Sequence, residues 1–196
     1  MSPRSKAQFE EIREASTKKI LEAALELFGT RGYEATSIAQ IAKSAEVSKG
    51  LVYNYFESKE HLLEAVVMDL MNIGDEMVEQ MLDPDPAKTL ENLIKTVFQW
   101  LAENDRLNRL LVSLSTQLDR FQFVRDLASK KMDGYLMMLE ELLQKLDFED
   151  AKTEARILAT FFDGIALHVM MMKEEYPLLE VQEMLINKYC KNSTVN

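Results

Sequence analysis

Hydrophobic residues recur along most of this chain at spacings of three and four, the period of an amphipathic α-helix. No segment of strand length alternates apolar and polar residues, and only six glycines and four prolines occur among 196 residues. The pattern therefore predicts an all-α protein of about nine helices. They are expected at about 9–30, 37–45, 48–56, 58 to the Asp83-Pro84-Asp85-Pro86 break, 87–103, 106–118, 121–146, 150–175 and 178–191.

The two short helices near the N-terminus carry signals for where they begin. Ser37 and Gln40 have the spacing of a capping box, and Ser48 is placed to cap the following helix. Two short helices joined by a tight turn, after a longer helix, are typical of a DNA-reading unit. We therefore predict a helix-turn-helix at about residues 37–56.

The fourth predicted helix is long, and its apolar positions define one buried side. These positions are Leu62, Leu63, Val66, Val67, Leu70, Ile73 and Met77. The helix joins the two parts into which we divide the chain. A helix-turn-helix domain at 1–60 is followed by a helical bundle at 61–196.

Charge is unevenly distributed along the chain. The formal net charge is −10. Residues 1–63 carry nine basic and nine acidic side chains, whereas residues 64–196 carry 14 and 24. The overall acidity argues against nonspecific nucleic-acid binding by the whole surface, but the neutral first third is compatible with DNA. The two parts are therefore expected to have different partners.

Composition excludes several classes of site. Cys190 is the sole cysteine and there are two histidines, so neither an internal disulfide nor a zinc site of the usual ligands is expected. We expect no cofactor. No signal peptide and no uninterrupted apolar run of 18 residues is present, so we expect a cytoplasmic protein without a transmembrane helix.

Catalytic motifs are absent from the sequence. There is no glycine-rich phosphate loop and no Ser/His/Asp or Cys/His set with a recognisable local signature. Turnover would need a carboxylate such as Asp163 acting alone, and this residue more simply caps or pairs locally. We do not expect an enzyme.

A run of about fifty residues carries a family resemblance. The segment TSIAQIAKSAEVSKGLVYNYFESKEHLLEAV, residues 36–66, resembles the TetR family of bacterial repressors. The stretch KKILEAALELFGTRGYEAT, residues 18–36, looks like that family's first helix, with Gly32 closing it and Tyr33 folding back on it. The resemblance implies an N-terminal three-helix DNA-binding domain and a C-terminal ligand-binding and dimerisation bundle.

The resemblance also assigns roles to matching positions. It implies that Lys49, Gly50 and Leu51 meet the bases, which suits lysine for guanine O6/N7 and leucine for a thymine methyl. Positions that hold phosphates or flank bases are Thr36, Ser37, Ser48, Tyr53, Asn54, Tyr55 and Lys59. Arg4, Lys6, Lys18 and Lys19 are further candidates for backbone contacts.

Three positions depart from the family's pattern, and simpler roles stay open for others. Glu46 replaces the usual turn glycine, Leu51 a common threonine and Asn54 a common histidine. A left-handed glutamate would cost about 1 kcal/mol and bring negative charge toward DNA. The two serines are also suited to capping alone. Tyr55 is equally suited to DNA and to the core, whereas Phe56 is expected to be buried.

The C-terminal part resembles the family mainly at ARILATFFDGIALHVM, residues 155–170, the penultimate helix. A homodimer face is predicted at Ile157, Phe161, Gly164, Ile165, Met172, Val181, Leu185 and Tyr189. A pocket for a small hydrophobic effector is predicted at Phe98, Trp100, Met132, Tyr135, Met138, Phe162, His168 and Met171. Packing within one subunit remains the alternative for each of these residues, and His168 also suits a hydrogen-bonded interior or interface position.

The resulting hypothesis is a ligand-responsive regulator, a dimeric repressor that binds a palindromic operator in double-stranded DNA. The two reading helices would lie about 34–36 Å apart. The alternative is a helical ligand- or protein-binding dimer without DNA-binding activity, for which Glu46 and the acidic balance speak. The sequence names neither the effector nor the operator, the regulated genes or the sign of regulation.

Overall fold

The structure is a computed structural model that describes residues 6–115, 117 and 119–191. Within these residues the backbone forms nine α-helices and no strand, which confirms the predicted all-α class. The helices are α1 (Lys6–Arg31), α2 (Ile38–Ser44), α3 (Lys49–Tyr55), α4 (Lys59–Met81), α5 (Pro86–Glu103), α6 (Asp105–Ser115), α7 (Gln122–Lys145), α8 (Ala151–Met172) and α9 (Leu178–Ile186). A 3₁₀ turn at Lys173–Glu175 follows α8, and a π-helical turn at Asn187–Lys191 follows α9.

Serine side chains begin three successive helices of the N-terminal part. The Ser37 hydroxyl accepts from the Gln40 amide, and the Gln40 side chain accepts from the Ser37 amide, so the predicted capping box is confirmed. Ser48 caps α3 and Ser58 caps α4 in the same way, each accepting from a backbone amide three residues ahead. These caps satisfy amides that a helix start leaves without intrahelical partners.

The connection between α1 and α2 has the predicted conformation. Gly32 has φ +82°, a left-handed value that glycine adopts without steric cost. The Tyr33 ring then folds back, with its centroid 5.4 Å from that of Phe28 in α1. We call residues 32–37 the α1–α2 turn.

The first of two hydrophobic cores extends beyond the helix-turn-helix. Its members from α1–α4 include Phe28 and Val52, but Leu110, Leu114 and Phe121, from α6 and the start of α7, are buried with them. Helix α6 lies against α1 so closely that a methyl group on Gly29 would come within 2.4 Å of the Arg106 carbonyl oxygen. The α6 backbone therefore requires glycine at that position.

The second core lies between α5, the end of α7, α8 and α9. Phe98 and Leu158 are buried in it. Tyr189 is fully buried there, and its hydroxyl donates to the Glu154 carboxylate at 3.0 Å. Burial, together with the hydrogen bond to Glu154, raises the pKa of Tyr189 far above its ordinary value. The π-helical turn at Asn187–Lys191 is thus fixed to α8.

Helices α4 and α7 pass between the two cores with few buried side chains. No residue is fully buried between Val67 and Met81 of α4, nor between Val124 and Leu139 of α7. The prediction that Ile73 is buried is wrong, because α4 has left the first core there and the side chain is exposed.

Polar contacts hold these two helices together where they meet. Asp75 of α4 forms an ion pair with Lys131 of α7. The Tyr135 hydroxyl lies 3.5 Å from the other oxygen of Asp75 and close against Gly74. Burial and the neighbouring Asp75 raise the pKa of Tyr135.

Candidate nucleic-acid interface

Helix α3 presents a mostly polar outer face and an apolar inner face. Lys49, Gly50, Tyr53 and Asn54 are exposed, while Val52 is completely buried against the first core. The Lys49 ammonium lies 5.8 Å from the centre of the Tyr53 ring, one helical turn ahead. The structure therefore places the predicted base-reading lysine beside an exposed aromatic ring on one surface.

The remaining α3 positions are partly buried. Leu51 is half-buried, so only part of its side chain is available to a thymine methyl. The Tyr55 ring packs edge-on against Phe56 and lies under the Arg13 guanidinium at 5.7 Å. Phe56 is buried, as predicted. The Tyr55 side chain is thus partly buried in the core and partly exposed, and Arg13 of α1 lies over its ring.

Ser37 and Ser48 are exposed as well as being caps. The Ser48 hydroxyl accepts from Leu51 N at 3.1 Å, which leaves its proton available. The Ser37 hydroxyl instead donates to the Gln40 side-chain oxygen at 2.9 Å. In this arrangement Ser48 is better placed than Ser37 to donate to a phosphate.

Thr36 does not lie on this surface. Its side chain is only 2% exposed, and its hydroxyl is directed at the carbonyl oxygens of Gly32 at 2.8 Å and Leu27 at 3.1 Å. A hydroxyl has a single proton, and the two acceptors lie in the α1–α2 turn and near the end of α1. The predicted phosphate contact of the Thr36 side chain is therefore contradicted, and the residue stabilises the turn instead.

Lys59 joins the start of α4 to the α1–α2 turn. Its ammonium donates to the Tyr33 carbonyl at 2.8 Å and to the Thr36 carbonyl at 3.1 Å, and it lies 4.1 Å from the centre of the Tyr33 ring. These contacts use two of its three N–H groups. The sequence placed Lys59 correctly at the head of α4 but gave no sign of this internal role, because the carbonyls come from more than twenty residues away.

Glu46 occupies the turn between α2 and α3 in the left-handed conformation anticipated from the sequence. Its φ is +57°, and its side chain is exposed. It lines a shallow groove of about 280 Å³ with Lys19 and Glu22 of α1. Two carboxylates face one ammonium in this groove, so it does not favour an anion. Lys18 and Lys19 are exposed, and Arg4 lies outside the described residues.

The predicted effector residues do not line one cavity. Phe98 belongs to the second core, Met138 and Phe162 pack against it, and Trp100 is partly buried on α5. Met132 is exposed on α7. A cavity of about 390 Å³ opens between α4 and α5 instead, lined by Met77, Gln80, Met81, Asn92, Lys95 and Thr96. None of the eight predicted residues lines it.

The sequence predicts His168 and Met171 in the pocket, but both lie on the outer surface of α8. Met171 is 69% exposed, and the exposed His168 ring is 5.8 Å from that of Tyr176. Both predictions are contradicted, because these side chains point away from the second core. Their helical positions coincide with the predicted dimer face.

The structure leaves some of the predicted dimer-face residues exposed and buries others. Ile157, Phe161, Gly164 and Met172 are exposed along α8, and Val181 is half-buried. Three other predicted members are buried within the chain and are corrected to core residues: Ile165, Leu185 and Tyr189. Exposed apolar residues missing from the prediction are Leu167, Leu179 and Met184. We call the exposed apolar surface of α8 and α9 the α8–α9 face.

Helix α8 is unusually exposed for its composition. By length and hydropathy, Ala151–Glu175 is the one stretch of the described chain that suffices to cross a membrane, and 17% of its most apolar window is buried. Asp163 lies on its exposed side, where partial burial raises the pKa of the carboxyl group. Among the described residues, no group of three or more His, Cys, Asp or Glu side chains is arranged to hold a metal ion.

Comparison with known proteins finds a family match in the part of the chain that contains α2 and α3. Residues 20–66 match the family model for bacterial regulatory proteins of the TetR family. An uncharacterized HTH-type transcriptional regulator of Bacillus subtilis, YdgC, is 26% identical over 163 residues, covering 79% of this chain and 78% of the relative. The fatty acid metabolism regulator protein of B. subtilis is 31% identical over 130 residues, covering 64% of each.

Solved structures share the whole fold. The transcriptional regulator FadR of B. subtilis, in complex with stearoyl-CoA, superposes with a TM-score of 0.74 at 22% identity, covering 89% of this chain and 97% of that one. AibR, in complex with isovaleryl coenzyme A and operator DNA, has a TM-score of 0.71 at 19% identity, covering 89% and 98%. The relatives are transcriptional regulators and not enzymes. Over residues 20–66, this chain is therefore similar to the TetR family of bacterial regulatory proteins.

Proposed function

We propose that this protein is a cytoplasmic, homodimeric repressor that binds a palindromic operator and is released by a hydrophobic effector carrying an acyl chain. The observation that carries the proposal is the outer face of α3. Lys49, Tyr53 and Asn54 share one exposed surface, on a helix whose other side is anchored in the core. A short, rigidly anchored helix with polar groups outward suits the major groove.

The α8–α9 face supports a dimer. Its apolar side chains include Phe161 and Met184, the latter 73% exposed. Exposed apolar surface of this kind favours association with a partner surface. A second copy of the chain supplies the same face by two-fold symmetry, which also provides the second reading helix that a palindrome requires.

The loose crossing of α4 and α7 supports effector binding there. Tyr135, Met132 and Met138, three of the predicted pocket residues, lie on the poorly buried part of α7. An acyl chain inserted between α4 and α7 gains apolar contact that the free protein lacks there. It also strains the pair between Asp75 and Lys131.

The acyl class comes from the relatives, because FadR binds stearoyl-CoA and AibR binds isovaleryl coenzyme A. Helix α4 links the two parts, so its displacement would tilt α3. An effector acts in this way only if it binds the released conformation more tightly than the DNA-bound one.

The test is an anisotropy titration of the purified protein against DNA from upstream of its own gene, repeated over a range of salt concentrations. We expect specific binding that weakens with salt and is relieved by stearoyl-CoA or isovaleryl-CoA but not by CoA alone. Lys49→Ala and Tyr53→Ala should abolish specific binding. Lys145→Ala, which removes another exposed lysine, paired with Glu141 on α7, should not.

Two results would contradict the proposal in different ways. Binding that is equal for operator and scrambled DNA would leave a helical ligand- or protein-binding dimer as the better description. Specific binding that no acyl-CoA relieves would support the role as a DNA-binding regulator but contradict an acyl-CoA effector.

A further inference from the structure

The side chain of Tyr33 is contacted by both parts of the molecule. From the N-terminal part, the Lys59 ammonium lies over its ring and the Phe28 ring packs beside it. From the C-terminal part, the Phe121 ring meets it edge-on, with centroids 5.0 Å apart, and the Arg120 guanidinium lies 5.8 Å from its centre. Tyr33 therefore sits at a junction between α4, α1 and the start of α7.

Arg120 makes several contacts at this junction. Its guanidinium forms an ion pair with Glu34, the residue next to Tyr33 in the α1–α2 turn. It also lies 5.2 Å from the centre of the Phe121 ring. A planar guanidinium can pair with a carboxylate and stack on rings at the same time, which an ammonium does less well. Arg120 thus ties the segment that precedes α7 to the turn that precedes α2.

A second tie lies at the other end of α6. Arg106, in the first turn of α6, forms an ion pair with Glu26 of α1. The same residue's carbonyl lies against Gly29. The N-terminal part is therefore held to the C-terminal part at both ends of α6, in addition to the covalent link through α4.

The junction leads directly to the DNA surface. The Tyr33 and Thr36 carbonyls that accept hydrogen bonds from Lys59 are in the α1–α2 turn. Arg120 contacts the same turn through Glu34. Ser37, at the end of that turn, caps α2. A shift of the segment 119–121 would therefore change the position of α2 and of the first turn of α4 without any contact between Arg120 and DNA.

We propose that Arg120, through its ion pair with Glu34 and its contact with the Tyr33 ring, is a positioning residue that fixes the α1–α2 turn and Lys59 for operator binding. The inference rests on the proposed function. It adds α6 and the segment 119–121 to α4 as the route by which the C-terminal part sets the orientation of the reading helix.

The test compares Arg120→Gln with Arg109→Gln in operator titrations over a series of salt concentrations. Arg109 is the matched control, because its ion pair is with Asp105 on the same helix. We expect Arg120→Gln to weaken operator binding by about 3- to 10-fold and Arg109→Gln to leave it unchanged. The slope of log affinity against log salt should stay that of the wild type in Arg120→Gln, because Arg120 neutralises no phosphate.

A charge exchange tests the pair itself. Arg120→Glu and Glu34→Arg should each weaken operator binding, and the double variant should recover most of the affinity. Equal effects of Arg120→Gln and Arg109→Gln, a salt slope reduced by about one phosphate contact, or no recovery in the double variant would each overturn the inference.

A measurement without DNA separates this inference from the proposed function. Hydrogen exchange of a peptide spanning 32–37 should be faster in Arg120→Gln than in Arg109→Gln, with exchange in α8 unchanged as evidence of an intact fold. If the wild type binds no operator, the proposed function fails, while this comparison still decides whether Arg120 orders the turn. Unaltered exchange in 32–37 would refute that ordering.

Discussion

Two acidic residues, Glu46 and Asp147, have left-handed backbone conformations in turns. Glu46 lies beside the reading helix, and Asp147 is remote from it. Their φ angles are +57° and +61°, and both side chains are exposed. A residue with a Cβ atom is strained in this region, and glycine is not. The pair allows backbone strain and charge to be measured separately.

We predict that Glu46→Gly raises the free energy of unfolding by about 1 kcal/mol and also tightens operator binding. The first effect comes from relief of strain, and the second from loss of a carboxylate near the phosphates. Asp147→Gly should give a similar gain in urea unfolding with unchanged operator affinity. An affinity gain in both variants, or in neither, would mean that the Glu46 carboxylate does not act on DNA.

Cys190 supplies a prediction about pH. Burial, with a smaller contribution from Glu91, raises the pKa of its thiol to about 11, from an ordinary value of 9.0. Below pH 9 the fraction of Cys190 present as thiolate is thus about 100-fold smaller in the native protein than in the unfolded chain. The native protein should therefore react with dithionitrobenzoate at pH 8 at least about 100-fold more slowly than the unfolded chain. Ionisation favours the unfolded chain above pH 9, so the free energy of unfolding should fall between pH 9 and 11. Equal reaction rates in native and urea-unfolded protein would contradict the burial of this thiol.

The structural roles of individual residues were predictable where the signal was local. Ser37 and Ser48 cap helices with partners three residues away, so their roles could be seen in the sequence. Thr36 and Lys59 differ, because their partners are carbonyl groups in the α1–α2 turn and at the end of α1. A residue pattern describes side chains, and it carries no record of which distant backbone oxygens remain unpaired.

At the scale of elements, α1 and α6 are in close contact at Gly29. A methyl group at Gly29 would meet the α6 backbone, which cannot rotate away as a side chain would. The ends of most helices followed from caps and breaks in the sequence. That α6 would pack on α1 did not follow, since its apolar face is equally suited to either core.

Gly29→Ala should therefore destabilise the protein despite alanine's higher helix propensity. The substitution gains about 1 kcal/mol in α1 but forces α6 outward, at a cost of about 1–3 kcal/mol. We expect a net loss in urea unfolding, together with weaker operator binding. Gly134→Ala is the control, because an added methyl there meets nothing within 4 Å in the middle of α7. A Gly29→Ala variant as stable as Gly134→Ala would show that α6 can shift without cost.

At the scale of the whole molecule, the α8–α9 face is an apolar surface that the second core leaves uncovered. The sequence predicted this face on α8, where period and composition agree. The prediction failed for Leu185 and Tyr189, because apolar residues occur on more than one side of the helix there. Only the packing decides which side points inward. The same ambiguity misplaced Met171 in the pocket.

We predict that Phe161→Glu converts the proposed dimer to a monomer and weakens operator binding at least tenfold, because one reading helix then binds alone. Light scattering after gel filtration measures the mass. Met137→Glu introduces the same charge at a more exposed apolar position on α7 and should remain a dimer. A monomeric wild type would contradict the proposed dimer, and a dimeric Phe161→Glu variant would place the interface elsewhere.

The shared first core has a consequence for exchanging parts between relatives. Leu110, Leu114, Phe121 and Val124 complete the hydrophobic interior around α1–α3, although they lie fifty or more residues beyond the reading helix. A chimera joined near residue 60 would expose that interior to a foreign α6 with different side chains. A transplanted DNA-binding part should therefore fold and respond to effector only when residues 105–124 are transferred with it. The smallest transferable unit is thus discontinuous in sequence.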